Sequence, residues 1–217
     1  MIDLHTHTLH SDGSLLPSEL VQRAMVIGLD AIAITDHVDG SNIDQVLSAI
    51  IEFCSGIVRS DGFTVVPGVE ITHVPPTGIR RLVEKARRGG AKIVVVHGET
   101  IVEPVHAGTN MAAIEAGADI LAHPGLITEE ECRLASKKAV LLEITGRKGH
   151  AFTNGHVASM AIKHNVGLVL NSDAHAPGDL LSIEQAKKIA LGAGLEDNDY
   201  RRIIENARAL IERAFPR

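Results

Sequence analysis

The sequence has no tryptophan, one tyrosine and four phenylalanines, so aromatic rings make up 2% of its 217 residues. That scarcity removes the stacking platforms on which single-stranded nucleic-acid binders rely. Basic charge is not in excess either: 21 Lys and Arg stand against 27 Asp and Glu, a formal charge of −6 with every His neutral. An acidic balance gives no non-specific pull toward phosphate backbones, which counts against nucleic acid as a partner. The two cysteines, Cys54 and Cys132, form no CxxC pair and read as small core residues rather than as a disulfide or a metal site. Long hydrophobic runs are missing. Stretches such as Ile93 to Val96 and Ala139 to Leu142 fall far short of the roughly 20 residues a membrane helix needs. Met1 leads directly into Ile2-Asp3-Leu4-His5 without a basic or apolar leader, so a cytoplasmic address is expected. Proline is sparse at 8 residues and 45% of the chain is apolar, which excludes a disordered chain and suits one packed domain over residues 1–217.

What the sequence does have is histidine, at 12 residues. The histidines fall on a regular frame in which short aliphatic runs alternate with helical periods from end to end. Strands are predicted at Ile2 to His7, Ala31 to Thr35, Thr64 to Ile71, Lys92 to His97, Ile120 to His123, Val140 to Thr145 and Val166 to Asn171. Helices are predicted near 17–28, 43–57, 78–89, 109–117, 129–137, 154–165 and 182–192, with a last one around 198–214. Strands that are apolar throughout indicate a parallel sheet covered on both faces. The expected fold is therefore α/β, a distorted TIM-like (β/α)7 barrel with a C-terminal helix. A doubly wound sheet would alternate similarly, but its GxGxxG turn after the first strand is absent.

Polar residues mark the ends of these strands. His5 and His7 end the first, His37 follows the second, Glu70 ends the third, His97 the fourth and His123 the fifth, and Asp173 with His175 follows the seventh. In a parallel α/β barrel this is the face where active sites are assembled. Residues i and i+2 of a strand share a face, so His5 and His7 can meet one metal, and Asp173 and His175 repeat that spacing. Glu70 has two donor atoms in a fork and is the natural bridge between ions, while Asp12 in Ser11-Asp12-Gly13 can fold back as a hard oxygen donor. Burying six imidazoles and three carboxylates at one mouth without metal would cost several kcal/mol. His10, His73, His106, His150, His156 and His164 are read as non-ligands. His73 and His106 lie in loops near the mouth, within reach of a substrate.

The motifs Asp3-Leu4-His5-Thr6-His7, Ser11-Asp12-Gly13, Thr35-Asp36-His37, Pro67-Gly68-Val69-Glu70, Ala122-His123-Pro124-Gly125 and Ser172-Asp173-Ala174-His175 appear in this order. In this combination the chain resembles the polymerase and histidinol phosphatase (PHP) family over about residues 1–192. The resemblance implies up to three divalent ions, Zn, Mn or Fe, at the barrel rim. One ion would take His5, His7, Glu70 and Asp173; a second Glu70, His97 and His123; a third Asp12, His37 and His175. Either His97 or His106 could be the fourth-strand ligand, and the strand-end position favours His97. Asp12 stands where some members have His, which shifts preference toward harder ions such as Mn²⁺ or Fe²⁺. The stretch from Val102-Glu103-Pro104-Val105 to Asn110 is similar to the stand-alone phosphatase branch.

These readings converge on a metal-dependent phosphoric ester hydrolase whose partner is a small phosphorylated substrate, a phosphomonoester such as histidinol phosphate or a nucleotide phosphate. His5, His7, Glu70, His97, His123 and Asp173 would hold the ions that activate water. Asp3, Asp36 or Glu143 would accept a ligating imidazole's free N–H, with Asp36 best placed by sequence. Arg147 and Lys148, just past the sixth strand, would bind the substrate phosphate together with His106. A phosphodiesterase or exonuclease, and a non-catalytic metal-binding domain, are the competing classes. Arg80, Arg81, Lys85, Arg87 and Arg88 read as a solvated helix face remote from the rim.

Overall fold

A computed structural model of the protein describes residues 1–56, 59–60 and 62–216. Its strands are β1 (Ile2–Asp3), β2 (Ala31–Ile34), β3 (His37–Val38), β4 (Arg59–Ser60), β5 (Phe63–Ile71), β6 (Ile93–His97), β7 (Ile120–Ala122), β8 (Leu141–Thr145) and β9 (Leu168–Asn171). The helices are α1 (Pro17–Val26), α2 (Ile43–Ser55), α3 (Pro76–Gly89), α4 (Thr109–Ala116), α5 (Glu129–Lys138), α6 (Asn154–His164), α7 (Ile183–Gly192) and α8 (Asp197–Ala214). Strand order around the sheet is β1-β2-β5-β6-β7-β8-β9, all parallel, with β3 and β4 pairing on the ends of β5. The predicted barrel is thus the observed one. The last residue predicted for the second helix, 57, lies outside the described residues.

Period-two alternation divides the barrel wall into an outward and an inward row. On β6, Val94 and Val96 pack outward under the helices, while Ile93 and Val95 join an inner apolar cluster with Ala31, Ala33, Val66, Ile120 and Val169. Ala207 and Leu210 of α8 close that cluster from the N-terminal end of the strands. Continuing the inner row upward reaches His97 on β6, Glu70 on β5 and Glu143 on β8, so the lower barrel is aliphatic and the upper barrel polar. Caps fix where the helices start: Thr128 accepts from Glu131 N at α5, and Ser182 accepts from Gln185 N at α7.

Two departures from the predicted strands shape the site. First, β1 is regular only to Asp3 rather than to His7; beyond it Thr6 stays tied to the end of β2, with Thr6 O accepting from Thr35 N at 2.9 Å, while the chain also meets the far edge. His5 O accepts from Asp173 N at 3.0 Å, His7 N donates to Ala174 O at 2.9 Å, and Thr6 bridges Ala174. This seam closes the barrel. Second, β5 changes partner along its length, from β2 at Thr64–Pro67 to β3 at Glu70–Ile71. Pro67 has no N–H to give the ladder, and a Cβ on Gly68 would stand 2.7 Å from Ile93 O. The break lets His37 pair with Glu70 on a short strand that periodicity alone does not mark.

Arg87 differs from the predicted solvated face, since it pairs at 2.7 Å with Asp119, a residue buried at the base of the barrel. Asp119 also accepts from Val94 N at 2.7 Å and is bonded by Arg213 of α8. In Asp119→Ala both guanidinium groups can turn to water but Val94 N–H cannot, so a stability loss of about 2 kcal/mol is expected. A lower urea midpoint at unchanged slope is the check; an unchanged midpoint would contradict the clamp. Among the described residues no helix is long and apolar enough to cross a membrane. Cys54 and Cys132 are free and buried.

Candidate metal centre

All nine predicted ligands come to the C-terminal mouth of the barrel. His5 and His7 rings lie 5.0 Å apart, so their i, i+2 spacing serves one centre even though the segment is not regular strand. Glu70 sits between several imidazoles: Oε2 is 3.3 Å from His5 Nε2, 3.7 Å from His7 Nε2 and 2.6 Å from His37 Nδ1, while Oε1 is 3.8 Å from His123 Nε2. Asp173 Oδ1 lies 3.1 Å from His7 Nε2, and its Oδ2 3.5 Å from His123 Nε2. At the rim Asp12 Oδ1 stands 3.4 Å from His37 Nε2 and 3.2 Å from His175 Nε2. Donor atoms of His7, Asp12, His37 and His175 form one group within 4.8 Å, and those of His5, His7 and Glu70 another.

The residues present fit divalent ions. His5 Nε2, both ring nitrogens of His7, both Glu70 oxygens, His123 Nδ1 and Asp173 Oδ1 are buried without a hydrogen-bond partner. Each orphaned buried polar group costs on the order of 1–3 kcal/mol, and here the orphans cluster at a single point. A mixed nitrogen and oxygen donor set of this kind suits Zn²⁺, Mn²⁺ or Fe²⁺. His123 and Asp173 also hold positive φ, 27° and 53°, a backbone region that non-glycine residues rarely adopt and that concentrates at functional sites.

Electrostatics divide the donors: burial opposes charge on His5 and His37, yet Glu143 and Glu70 beside His5 raise its ring well above the usual imidazole range and Glu70 raises that of His37. Burial lowers the His7 and His123 rings well below the usual imidazole range, and neighbouring imidazoles push them further, so both are neutral. Burial opposes the charge on Glu70, yet His5 and His37 hold its carboxyl well below the ordinary value. Asp173 is pushed up to about 7 by burial in the ion-free protein.

Glu143 is the carboxylate that orients an imidazole. Its Oε1 is 2.8 Å from His5 Nδ1 and accepts from Asn171 Nδ2 at 2.8 Å, while Oε2 accepts from His123 N at 3.2 Å. This fixes the His5 tautomer and turns Nε2 toward Glu70 and Asp173. Glu143→Gln is expected to weaken divalent-ion affinity about 10- to 100-fold in a chelator competition; undiminished affinity would remove Glu143 from this role. Asp36, the acceptor favoured from sequence, instead takes Thr8 N, Thr8 Oγ1 and Ser11 Oγ, each at 2.7 Å. It pins the loop that presents Asp12. Gly13 in that loop is required by close approach, since a Cβ would lie 2.5 Å from the His7 carbonyl. Asp3 accepts from the His5 and Ser172 backbone amides and touches no ring nitrogen by hydrogen bond.

A cavity of about 590 Å³ opens over the centre, lined by Asp12, His37, His97, Arg147, Asp173 and His175 among others. Arg147 is partly exposed, with Nη1 3.3 Å from Asp179 Oδ2. Lys148 and His106 are exposed and do not line this cavity. His106 uses its carbonyl to accept from Thr109 Oγ1 at 2.6 Å, which fixes the loop before α4. Among the lining residues that the sequence reading did not place in the site are Glu103 and His150, the latter read there as a non-ligand. Donor atoms of His150 join those of His97 and His123 within 4.8 Å. The available signal was position, since His150 follows β8 by five residues, on the same rim loop as Arg147.

The match to the PHP domain family spans residues 3–212. The chain belongs to that family. An uncharacterized protein of Methanocaldococcus jannaschii is 47% identical over 199 residues, 91% of each chain. A probable phosphatase of Clostridium botulinum is 28% identical over 193 residues, covering 81% of this chain and 79% of the relative. Among solved structures, an archaeal ribonuclease P with mature tRNA contains a chain that overlays with a TM-score of 0.74 at 19% identity, covering 99% of this chain and 91% of that one. Histidinol phosphate phosphatase of Lactococcus lactis, complexed with zinc, L-histidinol and phosphate, overlays with a TM-score of 0.63 at 18% identity, covering 90% of this chain and 94% of its own. At such identities the overlays establish the barrel alone. Members of this family to which the chain is similar thus include a protein named as a probable phosphatase.

Proposed function

We propose that this PHP protein hydrolyses a small phosphomonoester, histidinol phosphate or a nucleotide phosphate being the leading classes, with two or three divalent ions at the barrel mouth. The observation that carries the reading is the cluster of orphaned buried donors around Glu70, set beneath a cavity that Arg147 also lines. Ions bound there would lower the pKa of water and neutralise phosphoryl oxygens during in-line attack. The protein's own part is to hold them and to orient the ester. His5, His7, Glu70 and Asp173 supply one set of donors, Glu70, His97 and His123 a second, and Asp12, His37 and His175 a third. Glu143 fixes His5, and the neutral rings of His7 and His123 keep lone pairs available.

Arg147 would take a phosphoryl oxygen pair by its guanidinium fork. Arg147→Ala is expected to raise KM for a phosphomonoester by about tenfold while changing kcat less, the pattern of lost ground-state binding; unaltered KM would exclude the contact. The deciding experiment compares a generic phosphomonoester with a phosphodiester, using protein stripped and reloaded with Mn²⁺, Zn²⁺ or Fe²⁺. Turnover of the monoester alone supports the proposal. Turnover of the diester would turn the reading to a phosphodiesterase or exonuclease, and silence with every ion would favour a non-catalytic metal-binding domain.

A further inference from the structure

Three imidazoles converge on Glu103, a residue of the β6–α4 loop outside the three ligand sets above. Its Oε2 is 3.1 Å from His97 Nε2 and 3.4 Å from His73 Nε2, and its Oε1 is 3.4 Å from His150 Nε2. His97 Nδ1 lies 3.1 Å from Gly98 O, to which it can only donate, so Nε2 is the ring nitrogen left to face Glu103. The donor atoms of His73, His97 and Glu103 lie within 4.8 Å of one another, close enough to share a cation. The His97 ring also stands 4.5 Å from His123, edge on, and His123 stacks 4.2 Å from His150. Glu103 therefore meets His97 and His150, whose donor atoms gather with those of His123 within 4.8 Å.

We propose that the ion position served by His97 and His123 takes Glu103 as an additional ligand, one that an incoming phosphate displaces. The loop is built to allow exchange. Its ends are fixed, because Asn110 N donates to Glu99 Oε1 and Glu99 N to Asn110 Oδ1, both at 2.9 Å, and Asn110 Nδ2 donates to Pro124 O at 2.9 Å. Between those ties Ile101, Val102, Glu103 and Pro104 are exposed. A carboxylate and a phosphoryl group are both hard anionic oxygen donors, and Glu103 and Arg147 line one cavity. Glu103 thus competes with the anion for the centre. A bare inorganic phosphate is held weakly, and an ester that makes further contacts in the cavity is favoured over it. Only the identity of the displacing anion rests on the phosphoesterase reading; the ligand role rests on His97, His123 and Glu103 themselves.

The test loads the full chain with Co²⁺ and compares wild type, E103A and E103Q by visible absorption and by calorimetric titration with inorganic phosphate. In E103A the d–d bands are expected to shift, with the number of bound ions unchanged. Phosphate is expected to bind at least about tenfold tighter, as when a like-charged competitor is removed. E103Q, which keeps the side chain's size, is expected to fall between the two and guards against a folding artefact. Identical Co²⁺ spectra in wild type and E103A would overturn the ligand role, whether or not either protein hydrolyses an ester. A shifted spectrum with equal or weaker phosphate affinity would overturn the displacement. A shifted spectrum with no phosphate binding to either protein supports the ligand role and counts against the phosphoesterase reading.

Discussion

Glu70→Gln is expected to cost the protein at least one bound ion and to lower kcat by about three orders of magnitude or more, the scale on which a group acting as part of a catalytic unit is lost. Glu70 is fully buried and approaches His5, His7, His37 and His123, so its two oxygens face ligand histidines of all three proposed donor sets. The amide keeps the shape and removes both the charge and one oxygen donor. Elemental analysis of the purified variant beside its turnover number is the check. Full metal content with normal turnover would remove Glu70 from the centre and with it the assignment of a bridging carboxylate.

The second large effect is thermal. A ligand that binds only the folded state stabilises it by RT ln(1 + [L]/Kd), about 4 kcal/mol at a thousandfold excess over Kd. For a chain of this size that corresponds to a rise in Tm of about 10 °C per tightly held ion, reversed by a chelator. The effect should depend on pH with a definite sign. In the stripped protein burial raises the Asp173 carboxyl to about 7, so the folded state keeps a proton that the unfolded chain has released. The contribution of Asp173 to the stability of the stripped protein therefore falls as pH rises from about 4 to 7. The loaded protein keeps Asp173 ionised as a ligand, and the gap between loaded and stripped melting temperatures widens over the same window. Melts at pH 5.5, 6.5 and 7.5, roughly spanning that window, would read this directly, and a gap that narrowed with pH would contradict the placement of Asp173 among the ligands.

Much of this centre is legible in the sequence because strand periodicity and strand ends are local features. Ile93, Val95 and His97 alternate on one strand, and reading that alternation upward leads from core to mouth. His5 and His7, or Asp173 and His175, carry their geometry in a spacing of two. What the sequence does not carry is contact between strands. Glu143 orients His5 from 138 residues away, and only closure of the barrel against β9 brings Glu143, one strand further round on β8, to the His5 ring. Asp36, adjacent to a ligand in sequence, looked better placed and turned out to hold the Thr8 to Ser11 loop. Loops hid the rest. Glu103 and His150 sit on irregular segments where no period predicts direction, and His37 reaches Glu70 only because Pro67 and Gly68 break the ladder of β5.

The seam between Thr6 and Ala174 has a consequence for the order of events during folding. Leu4 N and Asn171 Oδ1 meet across 167 residues of chain, beside the His5 and Asp173 pairing that closes the barrel. His5 and His7 leave the ribosome early, and Asp173 and His175 emerge only after the chain of six of the eight described helices, α1 to α6, has been made. The complete coordination set cannot exist on the nascent chain until that late stretch has emerged, so ion capture and barrel closure fall in the same final, long-range step. An ion that arrives at that step acts as a clasp on the ring, and a cell short of the ion would accumulate chains whose first and last strands have not yet met.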